Sequence, residues 1–253
     1  MAVSWAARTH PGLRRAKNED RFCAVPERGL FVVADGMGGH AGGDVASELA
    51  VVEIERVVRA TAALGQHDTW PMPFDSSLGR DGNILRAAFV GANQSILDDA
   101  DASEELSGMA TTAVAVLLAG LQATIAHVGD SRAYLLREER LTRLTGDHSW
   151  VEEQMRAGLL TAEAAREHPW RNIVTRALSG AGDLEVDVSQ IELQPADRLL
   201  LCSDGLTTML TDDDVGRIID DATDLQRGCD DLVDRANAAG GSDNITTLLL
   251  AME

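Results

Sequence analysis

The chain has 253 residues, 45% of them hydrophobic, which is enough for one large domain with a substantial core. Its 41 acidic and 22 basic residues give a formal net charge of −19, which argues against nucleic-acid binding, since that depends on neutralising phosphates with basic side chains. The longest apolar run, residues 113–121, is too short to cross a bilayer, and no signal-peptide pattern opens the chain. Three cysteines without a C-x-x-C pair are typical of free thiols. We therefore expect a cytoplasmic protein with no membrane partner.

A hairpin is the first predicted element, with strands over residues 22–25 and 30–34. A basic cluster over residues 8–22 precedes it and surrounds Glu19 and Asp20. Asp35 and Gly36 follow the second strand directly, so we expect the strand to end there. It would then expose a carboxylate and a backbone carbonyl that no side chain covers. Hard cations such as Mg²⁺ and Mn²⁺ prefer these ligands. A strand-to-helix turn without any ligand is the alternative.

Two amphipathic helices follow, and both are predicted to cover a sheet. The first begins at Asp44 as its N-cap, and its apolar side is formed by Val45, Leu49 and Val52. After a loop over residues 61–82, the second begins at Asn83 and buries Leu85, Ala88, Phe89, Ala92 and Ile96.

The sheet itself is predicted from β-rich runs over residues 110–118, 121–128 and 132–137. Very short turns join them, which indicates an antiparallel meander because parallel strands need crossover segments. Residues 142–180 are more polar, with short helical patches over 151–157 and 161–166, and are predicted to form a partly mobile insertion. Further strands are predicted over 184–191, 198–202 and 245–251. The acidic run 212–214 is interpreted as the capped start of a helix rather than a metal site.

Acidic residues recur where predicted strands meet glycines or turns. Asp35, Asp204 and Asp243 share this context, Asp130 lies in a fourth such position, and Asp20 is close by. Each one alone has an ordinary structural explanation, but the shared context indicates a metal site. In contrast, the histidines at positions 10, 67, 127 and 168 have no partners at ligand spacing and are predicted to be ordinary residues.

Six segments carry a family resemblance, in order along the chain: residues 15–20, 33–40, 108–112, 127–132, 203–206 and 241–246. In these segments the sequence resembles the metal-dependent Ser/Thr protein phosphatases of type 2C (PPM), in particular the compact bacterial members. The resemblance covers the chain from about residue 8 to the end. It implies a single domain over residues 1–253 of the α+β class, an α-β-β-α sandwich of two packed antiparallel sheets. Residues 142–180 match the family's flap.

The resemblance also implies roles for individual residues. Asp35 would bridge two Mn²⁺ or Mg²⁺ ions, the Gly36 carbonyl would ligate one of them, and Asp204 and Asp243 would complete the other. A weaker third ion would involve Asp130. Arg15 would bind the substrate phosphate with its planar guanidinium group. Metal-bound waters would be held by Glu19 and Asp20, with Asn244 beside them.

The implied reaction is hydrolysis of phosphoserine or phosphothreonine on proteins by a water whose pKa two neighbouring cations lower. Met37 stands where eukaryotic members have a candidate general acid, so His40 and a metal-bound water remain alternatives. Ala110 replaces a glycine of the family, which we expect to be tolerated. Substrate access is expected to involve the flap residues Asp147, His148, Ser149, Arg171 and Asn172.

The expected partners are phosphorylated proteins, including a bacterial Ser/Thr kinase, and the expected state is a monomer. Two other functions compete with this one. A catalytically silent regulator of the same fold would lack some ligands, and none is missing here. A Ca²⁺-buffering protein is suggested by the net charge of −19 alone, and it leaves Arg15 unexplained.

Overall fold

The computed structural model describes residues 3–38, 42–61, 63–64 and 68–252, and its described strands form two five-stranded sheets. The first contains, in spatial order, β2 (Asp20–Val25), β3 (Leu30–Met37), β4 (Ala110–Ala119), β5 (Gln122–Val128) and β8 (Asp187–Glu192). The second contains β1 (Val3–His10), β10 (Ile245–Met252), β9 (Arg198–Cys202), β6 (Arg132–Arg137) and β7 (Arg140–Arg143). All neighbouring strands are antiparallel.

Helices cover the outer face of each sheet. The first sheet packs against α1 (Gly42–Thr61) and α2 (Gly79–Ala102), and the second against α6 (Asp212–Asp221) and α7 (Leu225–Ala238). Between the sheets lies a third apolar layer that includes Phe31, Val114 and Leu248. Three short helices complete the fold: α3 (Trp150–Arg156), α4 (Ala162–Glu167) and α5 (Asp204–Thr207). The predicted α-β-β-α sandwich is therefore confirmed.

The predicted start and buried side of the first helix are wrong. This helix, α1, begins at Gly42, so Asp44 lies in its first turn instead of capping it. Val52 is exposed, whereas Ala46, Ala50 and Ile54 are buried. Small side chains form the buried side because the helix lies close against β3, and spacing alone does not choose between overlapping apolar stripes. The second helix begins at Gly79, earlier than predicted, and its predicted apolar side is buried throughout.

The predicted three-stranded meander is also wrong in one connection. Strands β4 and β5 pair as expected, but β6 leaves their sheet and pairs with β9 in the other one. The turn over residues 129–131 crosses between the layers, since a short turn can join facing sheets as well as neighbouring strands. At this crossing Gly129 has a φ of +106°, and a Cβ there would lie 2.4 Å from the Thr112 Cβ. Asp130 is therefore held between the two sheets.

Other boundaries differ by a few residues. Strand β3 continues to Met37, so Asp35 and Gly36 lie within the strand, opposite Thr112 and Thr111. Strand β8 begins at Asp187, and β7 was not predicted. The acidic run 212–214 opens α6 as expected, although the N-cap itself is Thr211. The short helices of the flap are present. No helix in the described part of the chain has the length and hydrophobicity needed to span a bilayer, and the three cysteines are free thiols.

Replacing Gly36 by Ala tests how closely the chain packs beside Asp35. A Cβ at position 36 would lie 2.0 Å from the Gly43 carbonyl oxygen and 2.7 Å from that of Glu19. We expect Gly36→Ala to lower the free energy of unfolding by about 3 kcal/mol, because the backbone must move to admit the methyl group. Urea denaturation measures this loss. Gly146→Ala is the control, since the nearest atom to its Cβ is 3.7 Å away; equal losses in both variants would refute the packing argument.

Candidate metal centre

Asp20 and Asp35 lie opposite each other on the paired strands β2 and β3. Asp20 is 1% exposed, and its Oδ2 accepts hydrogen bonds from Ser203 (2.8 Å) and Thr246 (2.7 Å) of the other sheet. Its Oδ1 is buried and has no hydrogen-bond partner among the described residues. Such an unpaired buried oxygen is costly unless a ligand satisfies it.

Three more carboxylates reach the same end of the sandwich from different elements. Asp204 begins α5 directly after β9, Asp243 precedes β10, and Asp130 lies on the turn between the sheets. The segments that carry Asp204 and Asp243 touch closely, because a Cβ on Gly205 would lie 1.9 Å from the Asn244 carbonyl oxygen. The structure thus brings Asp35 and four other carboxylates to one end of the sandwich, at sequence positions 20, 130, 204 and 243. Their role as metal ligands stays a prediction.

The electrostatics of this cluster favour a bound cation. Burial raises the pKa of Asp204 to about 6, of Asp20 to about 7 and of Asp130 to about 8, and that of Asp35 lies well above its ordinary value. Burial is the largest cause of the raised pKa of Asp35. The next cause is the negative charge of the neighbouring carboxylates, among which Asp20 contributes most. The neighbouring carboxylates therefore make ionisation of Asp35 less favourable. A hydrogen bond with Asp35 acts in the opposite direction on Asp204 and lowers its pKa.

Divalent cations fit these residues. The donors are carboxylate oxygens and, at Gly36, a backbone carbonyl on a strand beside them, a set typical of Mg²⁺ and Mn²⁺ sites. The unpaired Oδ1 of Asp20 also needs a positive or donor group. Among the described residues no three of these carboxylates bring oxygens within 4.8 Å of one another. The neighbouring negative charges nevertheless oppose ionisation of Asp35. A cation removes that repulsion, so binding and local order are coupled.

Arg15 lies at the edge of the cluster and forms an ion pair of 2.7 Å with Asp243. Its side chain is 54% exposed, so it remains accessible to an anion from solvent. The buried Asn244 anchors the loop that carries Arg15. Its side chain donates to the carbonyls of Pro11 and Lys17 and accepts from the backbone N–H of Glu19. The Asn244 side chain thus has a structural role, and its predicted contact with metal-bound water stays a prediction.

The flap residues divide into two groups. Asp147 pairs with both ends of the Arg132 guanidinium at 2.9 and 2.6 Å, and Ser149 caps α3. The two therefore have structural partners within the flap and the second sheet. Arg171 and Asn172 are exposed and line a cavity of about 660 Å³ together with Asp130 and Asp204. Asp147 and Ser149 line the same cavity in addition to their structural contacts. His40 lies outside the described residues, so its role stays a prediction.

Breaking the Asp147–Arg132 pair tests its structural role. Both side chains are largely buried, so Asp147→Asn leaves a buried guanidinium without its counter-charge, at a cost of about 3 kcal/mol in unfolding free energy. Asp231→Asn is the matched control, because its partner Arg227 is exposed and such pairs contribute well under 1 kcal/mol. Chemical denaturation of both variants measures the difference. Similar losses would show that Asp147 is not held by a buried ion pair.

His127 was wrongly predicted to lack partners. Its ring stacks on that of His148 at 4.7 Å, and Asp187 lies opposite it on β8, so the three bring ligand-type atoms within 4.8 Å. However, His148 Nδ1 accepts the Gly129 N–H at 3.0 Å, so the neutral ring carries its proton on Nε2, which faces Asp187 at 3.3 Å. We therefore interpret the cluster as a hydrogen-bonded support for the turn before Asp130. The sequence alone does not reveal these contacts, because they depend on the pairing of β5 with β8.

A sheet sandwich that gathers buried carboxylates, with an exposed arginine at their edge, is typical of a metal-dependent enzyme that acts on an anionic substrate. The sequence profile described as "Protein phosphatase 2C" matches residues 14–249. The Serine/threonine phosphatase stp of Listeria monocytogenes is 41% identical over 249 residues, covering 96% of this chain and 93% of that protein. Serine/threonine protein phosphatase PstP of Mycobacterium tuberculosis is 36% identical and covers 98% of this chain, which spans 45% of PstP.

Solved structures agree with these sequence matches. The crystal structure of the Mycobacterium tuberculosis phosphatase PstP/Ppp superposes with a TM-score of 0.87 at 34% identity and covers 100% of both chains. The catalytic domain of PstP in complex with two manganese ions has a TM-score of 0.82 at 32% identity and covers 98% of this chain and 97% of that one. The chain belongs to the protein phosphatase 2C family.

Proposed function

We propose that this protein hydrolyses phosphoserine and phosphothreonine on proteins, using two Mn²⁺ or Mg²⁺ ions. The observation that carries the proposal is the convergence of buried carboxylates whose charges raise the pKa of Asp35, with an unpaired Asp20 oxygen among them. The family membership and the relatives named as Ser/Thr phosphatases support the same conclusion.

Each residue has a proposed task at this site. Asp35 would contact both cations, the Gly36 carbonyl would complete one coordination shell, and Asp204 and Asp243 would complete the other. Asp130 would contribute to a weaker third site. The bound cations would supply Lewis-acid activation of water and of the phosphoryl oxygens. The neighbouring residues Glu19 and Asp20 would orient water, since Asp20 is itself fixed by Ser203 and Thr246.

Arg15 would orient the substrate. Its hydrogen bond to Asp243 is the main cause that raises the pKa of the guanidinium, so Arg15 stays fully charged beside the site. Only one of its nitrogens contacts Asp243, and the remaining donors can accept phosphoryl oxygens in a fork geometry. The Asn244 anchor keeps this loop in place while substrate exchanges.

The broader biological setting is also a proposal. We propose that residues 1–253 act as one phosphatase domain, with residues 142–180 as a flap beside the substrate path. The substrates would be phosphorylated proteins in the cytoplasm, among them a Ser/Thr kinase, and the enzyme would act as a monomer. Its charge of −19 supports the absence of nucleic-acid partners.

Hydrolysis assays test the proposal directly. The purified protein is given an aryl phosphate and a phosphothreonine peptide with Mn²⁺, and separately with EDTA. We expect turnover of both substrates with Mn²⁺ and none with EDTA, and recovery when Mn²⁺ is restored. Activity that persists in the chelator would refute the metal mechanism. No activity under any condition, with Mn²⁺ still bound, would identify a silent regulator of the same fold.

A further inference from the structure

The cavity of about 660 Å³ beside the carboxylate cluster is lined by two chemically different sets of residues. Asp130 and Asp204 belong to the proposed metal site. Much of the rest of the lining comes from α3, α4 and residues 171–172, all within the flap. A cavity of this size accommodates a side chain and part of a peptide. It therefore continues the active site towards the flap.

Three arginines of this lining have no acidic partner. Arg156, Arg166 and Arg171 are exposed, and within the described ranges none has a carboxylate within 4.0 Å. Most arginines of the chain pair with Asp or Glu, and three of the described arginines without such a pair lie at this one cavity. The three side chains therefore leave positive charge at one cavity.

The other acidic residues of the cavity lining do not neutralise this charge. Asp147 is bound by Arg132, and Glu152 pairs with Arg143 at 2.9 Å. Asp212 accepts from Tyr134 Oη and lies 3.9 Å from Arg132. Each of these carboxylates thus has a partner of its own, and that partner is never one of the three free arginines.

A structural explanation accounts for part of the pattern. Arg156 and Arg166 lie in the last turns of α3 and α4, where a cation interacts favourably with the helix dipole. This applies to each arginine separately, and it does not explain why both, together with Arg171, line the same cavity. The chain as a whole has a net charge of −19, so it repels an acidic substrate segment unless a local positive region binds that segment.

We propose that Arg156 and Arg166, with Arg171, form an anion subsite for an acidic or phosphorylated residue close to the target phosphoresidue of the substrate. Guanidinium groups bind carboxylates and phosphates through paired, charge-assisted hydrogen bonds. The subsite rests on the proposed phosphatase function and specifies its substrate class: phosphoprotein segments that carry a second negative group. The phosphoryl group itself would remain at Arg15 and the metal site.

Matched phosphopeptides test this subsite. Three peptides share one phosphothreonine and differ at a flanking position, which is Ala, Asp or a second phosphothreonine made resistant to hydrolysis as a phosphonate. The ratio of kcat/KM between each anionic peptide and the Ala peptide is measured with Mn²⁺ for the wild type, for Arg156→Gln/Arg166→Gln and for the control Arg140→Gln. Arg140 is an exposed arginine of β7 outside the cavity. The flanking position is scanned on both sides of the target residue.

We expect the wild type and Arg140→Gln to favour an anionic peptide by about ten-fold, mainly through KM, which corresponds to about 1.4 kcal/mol. The double variant should bring the ratio close to one. Preference for the phosphonate alone would identify a second phosphoresidue as the ligand, and equal preference for Asp would identify a general acidic residue. A wild-type ratio of one at every position, or a ratio unchanged in the double variant, would overturn the subsite. Absence of hydrolysis of all three peptides would instead contradict the proposed function.

Discussion

Asp35→Asn is expected to lower kcat/KM for a phosphothreonine peptide by about 10³-fold or more, a loss of about 4 kcal/mol of transition-state stabilisation. Asp35 is the carboxylate on which Asp20, Asp130, Asp204 and Asp243 all act electrostatically, so it lies at the centre of the cluster. The amide binds cations weakly and carries no charge. Steady-state kinetics in saturating Mn²⁺ measure the loss.

The same variant should behave differently in the metal-free protein. Because burial and neighbouring charges raise the pKa of Asp35, its removal relieves repulsion, and we expect the thermal midpoint in EDTA to stay the same or to rise. The stabilisation that Mn²⁺ gives to the wild type should be lost. Asp213→Asn, on the exposed side of α6, serves as the control and should change neither quantity. Full activity in Asp35→Asn, or a strongly destabilised metal-free variant, would contradict its assignment as a metal ligand.

The metal-free protein is expected to lose stability as the pH rises from about 4 to 8. A carboxyl whose folded pKa lies above its ordinary value of 3.8 binds protons more tightly in the folded state. Its stabilising contribution is therefore fully present below pH 4 and is lost as the pH rises to about 6 for Asp204, 7 for Asp20 and 8 for Asp130. For Asp20 alone the loss is on the order of 4 kcal/mol.

Mn²⁺ should reverse this trend because it binds the ionised carboxylates. We expect the increase in Tm on adding Mn²⁺ to be small at pH 5 and to reach about 10 °C at pH 8, since 1 kcal/mol shifts Tm by roughly 2–4 °C at this chain length. Thermal denaturation in EDTA and in Mn²⁺ across this range measures both effects. An increase that is independent of pH would mean that metal binding does not displace protons from the cluster.

Much of the fold could be predicted from the sequence, because local patterns of apolar and turn residues determine many of its helices and strands. Strands β6 and β9 were predicted at their observed bounds, and the apolar side of α2 was predicted residue by residue. The two strands are short β-rich runs bounded by turn residues, and the helix has apolar residues at helical spacing. The start of α1 was missed because glycine-rich segments carry little helical signal, and its buried side was missed because small alanines make the actual contact with β3.

Predicting the site needed long-range information that local patterns lack. The recurrence of acids at strand ends indicated the metal cluster, and the family resemblance identified its members. In contrast, the position of Asp130 is set by a turn that crosses between the sheets. His127 lies beside Asp187 only because β5 pairs with β8. The buried ion pair of Asp147 was not predicted because its partner Arg132 lies on another element. Such partners are fixed by tertiary packing, so spacing along the chain does not reveal them.

Anomalous X-ray diffraction from crystals soaked in Mn²⁺ tests the central claim most directly, because it locates each ion without reference to activity. Two strong manganese peaks are expected among Asp35, Asp204 and Asp243, with an Asp35 carboxylate oxygen in contact with both ions and the Gly36 carbonyl in contact with one. Peaks confined to other positions, such as the cluster of His127, His148 and Asp187, or a single ion that does not touch Asp35, would contradict the account.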